Sequence, residues 1–169
     1  MAAPQAGPGA TYVLKDLDKE VGVETERLNG QYNLIRVCLG HNSAVPPEVD
    51  LSSVKTVLDI AAGTCVWLLD FLDHPEVRDR VKDLELYASD INISKFPRAD
   101  VINAYGINVF QHDVTKPFPE ELLGKFDLVH ASALTPVLTP HYWRLVTKYF
   151  RALLSMVFYF LLEYHTDFL

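Results

Sequence analysis

The chain has 169 residues, a length that fits one domain able to bury roughly 70% of its unfolded surface and that leaves no room for two independent catalytic domains. Apolar residues make up 49% and charged residues 22%, the balance of a folded globule and not of a disordered chain. Against 15 Lys and Arg stand 22 Asp and Glu, for a net charge of −7. That charge disfavours capture of a nucleic-acid backbone, and Arg78, Arg80 and Lys82 form no basic block because Asp79 and Asp83 interleave with them.

Residues 1–10 carry Ala, Pro or Gly at eight of ten positions, so they read as a flexible lead-in and not as a signal peptide. From Glu24 to Leu39 the apolar positions Leu28, Tyr32, Ile35 and Leu39 recur at helical spacing, with Gly40 as a stop. Residues 11–47 are therefore expected to form a helical cap, closed by the rigid linker Val45-Pro46-Pro47. The core is expected over 48–169. Ser53 to Ile60 predicts a buried strand, and the small residues Ala61, Ala62 and Gly63 lead into an apolar helix, Val66 to Leu72, that ends near His74-Pro75.

Further strands are expected from Leu84 to Ser89 ahead of Asp90, from Ile107 to Gln111 ahead of Asp113, and from Phe126 to His130. After Pro140, the positions Tyr142, Leu145, Val146, Tyr149 and Leu153 define one helix face. Leu153 to Leu162 is apolar apart from Ser155, but ten residues fall short of the ~20 that a membrane helix needs. A buried core element is expected there, and no membrane association. Strands separated by crossovers imply an α/β fold, a Rossmann-like parallel sheet with flanking helices. Cys38 and Cys65, the two cysteines of the chain, lack metal-type spacing, which predicts no disulfide, no metal site and a reducing compartment. The expected location is cytoplasmic, with the nucleus as the alternative.

In an open parallel sheet, ligands bind beyond the carboxyl ends of the strands. Asp59, Asp90, Asp113 and His130 all fall at such ends. Each Asp reads either as a ligand-binding carboxylate or as a cap of exposed backbone donors. His130 reads as a general base or as a structural hydrogen-bonder. Asp59 precedes the small-residue loop, and no G-x-G-x-x-G follows the first strand, so a dinucleotide is not the expected ligand.

The segment Val57-Leu58-Asp59-Ile60-Ala61-Ala62-Gly63-Thr64-Cys65-Val66-Trp67 resembles the first motif of class I S-adenosylmethionine-dependent methyltransferases. Leu86-Tyr87-Ala88-Ser89-Asp90-Ile91 is similar to their second-strand motif, and Phe110 to Pro119 to their adenine-contact segment. Upstream, Tyr12-Val13-Leu14 with Glu26-Arg27-Leu28-Asn29-Gly30-Gln31-Tyr32 resembles the cofactor-covering region of fungal secondary-metabolism methyltransferases. The resemblance spans about residues 12 to 154 and implies S-adenosyl-L-methionine as cofactor. It also implies a cofactor-binding set of Tyr12, Asp59, Ala61, Gly63, Asp90, Ile91, Asp113, Val114 and His130. Asp59, Ala61 and Gly63 would frame the methionine end, Asp90 the ribose, and Asp113 with Val114 the adenine. Gln31 and Tyr32 read as lid contacts or as packing.

The sequence departs from the family at three places. Ala61 and Cys65 stand where the loop usually has glycine, and Cys65 is expected to add bulk near the cofactor and to resist positive φ. His130-Ala131-Ser132 replaces a His-Ala-Arg, which removes a cation. After Leu154 the family's Lys-Pro-Gly-Gly turn gives way to Ser155-Met156-Val157-Phe158. That tail reads either as a fifth strand, Phe158 to Tyr164, or as unrelated appended sequence, and in both cases the C-terminal strands of the fold are expected to be missing. An open apolar sheet edge would then favour a homo- or hetero-oligomer. Three functions follow: methyl transfer to a small-molecule acceptor, a non-catalytic cofactor-binding or interaction subunit, or a different Rossmann-type nucleotide binder. No catalytic residue beyond the candidate His130 is required, because methyl transfer needs alignment more than proton transfer.

Overall fold

The computed structural model describes residues 22–39, 43–134 and 138–163. Among these, five strands form one sheet: β1 (Thr56–Ile60), β2 (Glu85–Asp90), β3 (Ile107–Gln111), β4 (Phe126–Ser132) and β5 (Leu154–Glu163). Their order is β3-β2-β1-β4-β5, and every neighbouring pair is parallel. The chain steps outward from β1 to β3 and then crosses back to β4, so the order reverses between β1 and β4. Among the described residues four α-helices flank the sheet: α1 (Val23–Leu39), α2 (Val66–Leu72), α3 (Ala99–Tyr105) and α4 (Pro140–Leu153).

Burial on both faces explains the continuous apolar runs of the central strands. Alternate residues of the strands serve opposite cores, except that Phe126 and Leu128, on either side of the register shift in β4, face opposite ones. Val57, Leu86, Ala88, Ile107 and Leu128 meet Trp67, Leu68 and Phe71 of α2 on one face. On the other, Leu58, Ile60, Phe126 and Val129 meet Val146, Phe150 and Leu153 of α4. Phe150 lies outside the expected α4 stripe yet is fully buried, and Phe150→Ala would cost about 3–5 kcal/mol.

No helix is expected between β2 and β3 from the residue pattern; α3 is only seven residues long, buries Ile102 alone and stops at Gly106, whose φ is 64°. The charged stretch before β2 forms a 3₁₀ segment, Arg78–Asp83. Its Arg80 guanidinium donates to the carbonyls of Val54 (2.7 Å) and Leu51, which tethers the chain entering β1. The tail follows the strand reading, but β5 starts at Leu154, directly from the last turn of α4, and not at Phe158. A register shift between Phe126 and Leu128 accommodates it beside β4. Tyr164 lies outside the described residues, as do Tyr12, the lead-in 1–10 and the front of the cap up to residue 21.

Asp127 joins three strands at their amino ends. Its carboxylate accepts from the Lys55 (2.9 Å) and Thr56 (3.1 Å) amides and from the Ser155 hydroxyl (2.9 Å). α1 docks on α2, where the Tyr32 hydroxyl donates to Asp70 Oδ2 at 2.6 Å and Arg36 Nη1 pairs with the same oxygen at 3.1 Å.

Candidate cofactor cleft

At the carboxyl end of β1 the loop Ala61–Cys65 turns the chain into α2. Three of its five residues are left-handed, Ala61 at φ 55°, Gly63 at 53° and Cys65 at 58°. This i, i+2, i+4 spacing is where a G-x-G-x-G loop places its glycines. A non-glycine residue there carries about 1–2 kcal/mol of steric cost. The expectation that Cys65 resists positive φ is therefore not met: the thiol is wholly buried in the α2 core, and that burial holds the backbone in place. Burial first, and the Asp59 and Asp90 charges next, push the Cys65 thiol far above its ordinary range, so it stays protonated. Backbone bonds fix the rest of the turn, from Ala62 N–H to the Ser89 carbonyl (3.0 Å) and from Cys65 N–H to the Ala62 carbonyl (2.7 Å).

Asp90 is the last residue of β2, inside the strand and not after it. Its Oδ2 accepts from the Gly63 amide at 2.9 Å and its Oδ1 from the Asn92 amide at 2.8 Å. Burial raises its pKa, against the opposing pull of the Asn92, Gly63 and Ile91 backbone bonds. Ile91, beside it, is exposed. His130 likewise sits within β4, opposite Asp59 of β1, and not beyond the strand end. The register brings His130 Nδ1 to 2.7 Å from Asp59 Oδ1, with both side chains nearly inaccessible. With Asp59 a carboxylate, the ring N–H is the donor. The imidazole also stacks on Trp67 at 3.8 Å and 3°, so His130 forms part of a packed floor.

Above this floor lies a cavity of about 50 Å³. Asp59, Trp67 and His130 line its base, Ala61 to Thr64 one wall, Ser132 and Ala133 the other, and Leu28, Gln31, Tyr32 and Ile35 of α1 its roof. The Thr64 hydroxyl donates to Asn29 Oδ1 at 2.6 Å, which clamps α1 to the loop. Gly63 is pressed under the same helix, since a Cβ there would come within 3.3 Å of Leu28 Cδ1. Asp59, Ala61, Gly63 and His130 thus share one cavity, and Asp90 reaches it through Gly63. Ile91, Asp113 and Val114 do not line it. Asp113 closes its own turn by accepting from the Thr115 amide (2.9 Å) and hydroxyl (2.7 Å). The His112 amide donates to the Asp90 carbonyl at 2.9 Å and ties that segment to β2. Its ring stands 3.9 Å from Phe118, and burial lowers its pKa. Asn29, Thr64 and Ser132 fall inside the motif segments but are not among the expected site residues, and packing alone gives them their place at the cavity.

Sheet order and cleft position together define a Rossmann-like fold with its ligand cleft at the carboxyl ends of the strands. No family model matches the chain. It resembles two fungal proteins, methyltransferase grgD of a Penicillium species, 29% identical over 135 residues, and N-methyltransferase verN of Clonostachys rogersoniana, 27% identical over 128. These matches cover 77% and 75% of this chain but only 44% and 40% of the relatives, so the chain spans less than half of their length. A SAM-dependent methyltransferase from Aquifex aeolicus shares the fold with a TM-score of 0.54 at 15% identity, over 82% of this chain and 69% of its own. Among the described residues no helix is long and apolar enough to cross a membrane.

Proposed function

We propose that the chain binds S-adenosyl-L-methionine at the carboxyl ends of β1, β2 and β4 and serves methyl transfer to a small-molecule acceptor, in the secondary metabolism of a fungus. One observation carries this reading: left-handed backbone at Ala61, Gly63 and Cys65, bonded through Gly63 to the carboxylate of Asp90. The donor set fits the cofactor. Each Asp90 oxygen holds one N–H and keeps a lone pair for a ribose hydroxyl, and the acidic floor at Asp59 suits an ammonium group. Along the loop wall, Ala61 to Gly63 present nothing larger than a methyl. When bound, the sulfonium supplies an already activated methyl group.

The chain's own task is then orientation and exclusion of water. A cavity of about 50 Å³ has room for a few waters, far below the ~300–1,000 Å³ of clefts that hold cofactor-sized ligands. Ligand entry therefore displaces α1 from the loop, and the displaced helix covers the ligand. Calorimetric titration with S-adenosylhomocysteine tests the reading: saturable binding is expected, weakened in Asp90→Ala. No heat at millimolar ligand would overturn it, and tight NAD binding in its place would revive the alternative nucleotide-binder reading.

A further inference from the structure

We infer that α1 supplies the recognition group for the carboxylate of the ligand's amino-acid end, the side-chain amide of Gln31 locked in one orientation by Arg27 and Glu24. This rests on the cofactor reading above and specifies which atoms of the ligand α1 reads. The inner face of α1 presents Glu24, Arg27, Leu28, Gln31, Tyr32 and Ile35 at helical spacing. Glu24 is only 4% exposed, an unusual burial for a carboxylate unless it is paired. The pair is a fork: Arg27 Nε donates to Glu24 Oε2 and Nη2 to Oε1, both at 2.7 Å. The third guanidinium nitrogen, Nη1, donates to Gln31 Oε1 at 2.9 Å.

That last bond decides which way the amide faces. Its oxygen is committed to a cation that has no acceptor to offer, so a flipped amide would set N–H against N–H. Nε2 therefore turns away from Arg27, and Gln31 lines the cavity roof. Among the described residues nothing accepts from Nε2. A guanidinium on the carbonyl also polarises the amide and makes its N–H a better donor. Glu24 cancels the Arg27 charge, so the roof offers hydrogen bonds and no bare cation. The base of the same cavity holds the Asp59 carboxylate. Acceptor below and donor above match a zwitterion lying with its ammonium on the floor and its carboxylate under α1. A relay that only stiffened the helix would have no need to end on the cavity.

The test is calorimetric titration of the full chain and two variants, Gln31→Leu and Gln31→Glu, with two ligands. One ligand is S-adenosylhomocysteine; the other is its decarboxylated analogue, the thioether amine without the α-carboxylate. Leu and Glu are helix formers equal to Gln, and thermal unfolding checks that both variants fold. Gln31→Leu should weaken S-adenosylhomocysteine by about 10- to 100-fold, the loss expected for a hydrogen bond to a charged group, and leave the analogue within about twofold of the parent. Gln31→Glu should weaken S-adenosylhomocysteine further and bind the analogue at least as well as the parent does. Equal weakening of both ligands by Gln31→Leu, or none, overturns the carboxylate assignment while the cofactor reading stands. A parent chain that binds neither ligand overturns both.

Discussion

Replacing Asp90 by Asn separates the ligand-binding role of this carboxylate from its structural one. Each of its oxygens accepts one backbone N–H, from Gly63 at 2.9 Å and from Asn92 at 2.8 Å. An amide offers a single oxygen, so in Asp90→Asn one of those N–H groups faces Nδ2H₂. Losing a hydrogen bond to a charged group costs about 1.5–3 kcal/mol. The neutral side chain also escapes the burial that raises the pKa of Asp90, so the net loss of unliganded stability should be about 1 kcal/mol. Ligand hydroxyls lose their charged acceptor with no such compensation, and affinity should fall by about 10- to 100-fold.

The sign of the pH dependence follows from the direction of the shift. The folded pKa lies above the ordinary 3.8, so between the two values the folded chain holds more protons than the unfolded one. The stability contribution of Asp90 then falls as pH rises through that window. Hydroxyls donating to the carboxylate favour its ionised form, so binding expels a proton there. Affinity for S-adenosylhomocysteine should rise with pH through the window and level off above it, whereas Asp90→Asn should show no such slope. Calorimetry from about pH 4 to about pH 7, in two buffers of different ionisation enthalpy, counts the protons released. Equal affinities for parent and variant, or the same slope in both, would refute the assignment of the ligand hydroxyls to Asp90.

Neighbouring loop positions should respond with opposite signs in urea unfolding. Ala61→Gly relieves steric cost at φ 55° and should stabilise the fold by up to about 1 kcal/mol, whereas Gly63→Ala adds that cost and presses on Leu28, for a loss of about 1–2 kcal/mol. Asp127→Ala should destabilise by about 2 kcal/mol near neutral pH, since it unties β1, β4 and β5. Burial opposes ionisation of Asp127, but the bonds from Lys55, Ser155 and Thr56 outweigh it and lower its pKa. Its stabilisation is therefore present above the ordinary 3.8 and lost as pH falls through the folded value, and the gap between parent and variant should close in acid. Asp70→Ala removes the partner of Tyr32 and Arg36; limited trypsin digestion should then cut faster at Arg27 and Arg36, and an unchanged rate would mean that α1 is held elsewhere.

Long apolar runs made the central strands legible, because strands covered on both faces need them; β1 ends at Ile60 as expected but starts at Thr56 and not at Ser53, and the edge strand Ile107–Gln111 has its expected bounds. α3 was not legible, for seven residues with one buried side chain leave no periodicity to read. The start of β5 was missed because strand propensity rises at Phe158, whereas the boundary is set by α4 ending at Leu153 and by the Ser155 bond to Asp127. Motif spacing brought Asp59, Ala61, Gly63 and His130 to one cavity. It could not show that Asp59 and His130 face each other, since that pairing is a matter of register between β1 and β4, 71 residues apart in sequence. The Glu24–Arg27–Gln31 relay hid for the opposite reason: polar residues at i, i+3 and i+7 look like a solvated helix face until Glu24 proves to be buried.

The glycine-poor loop is the place where sequence and structure pull hardest against each other. Reading Ala61 and Cys65 as lost glycines suggests a damaged cofactor cleft, with Cys65 as the obstruction. Yet the backbone holds the left-handed conformation at both positions, and the Cys65 side chain belongs to the core beside Trp67, Leu68 and Phe71. The thiol is fully buried and does not line the cavity; of the two substituted positions only Ala61 does. The departure from three glycines thus narrows the cleft by a single methyl. Its cost falls on stability, at the two strained residues, and burial of Cys65 offsets part of it. For the same reason Cys65→Gly, which frees the backbone but empties a packed site, should leave stability within about 1 kcal/mol of the parent and leave S-adenosylhomocysteine affinity unchanged in the same titration. A large gain in affinity would show that the thiol does intrude on the cleft.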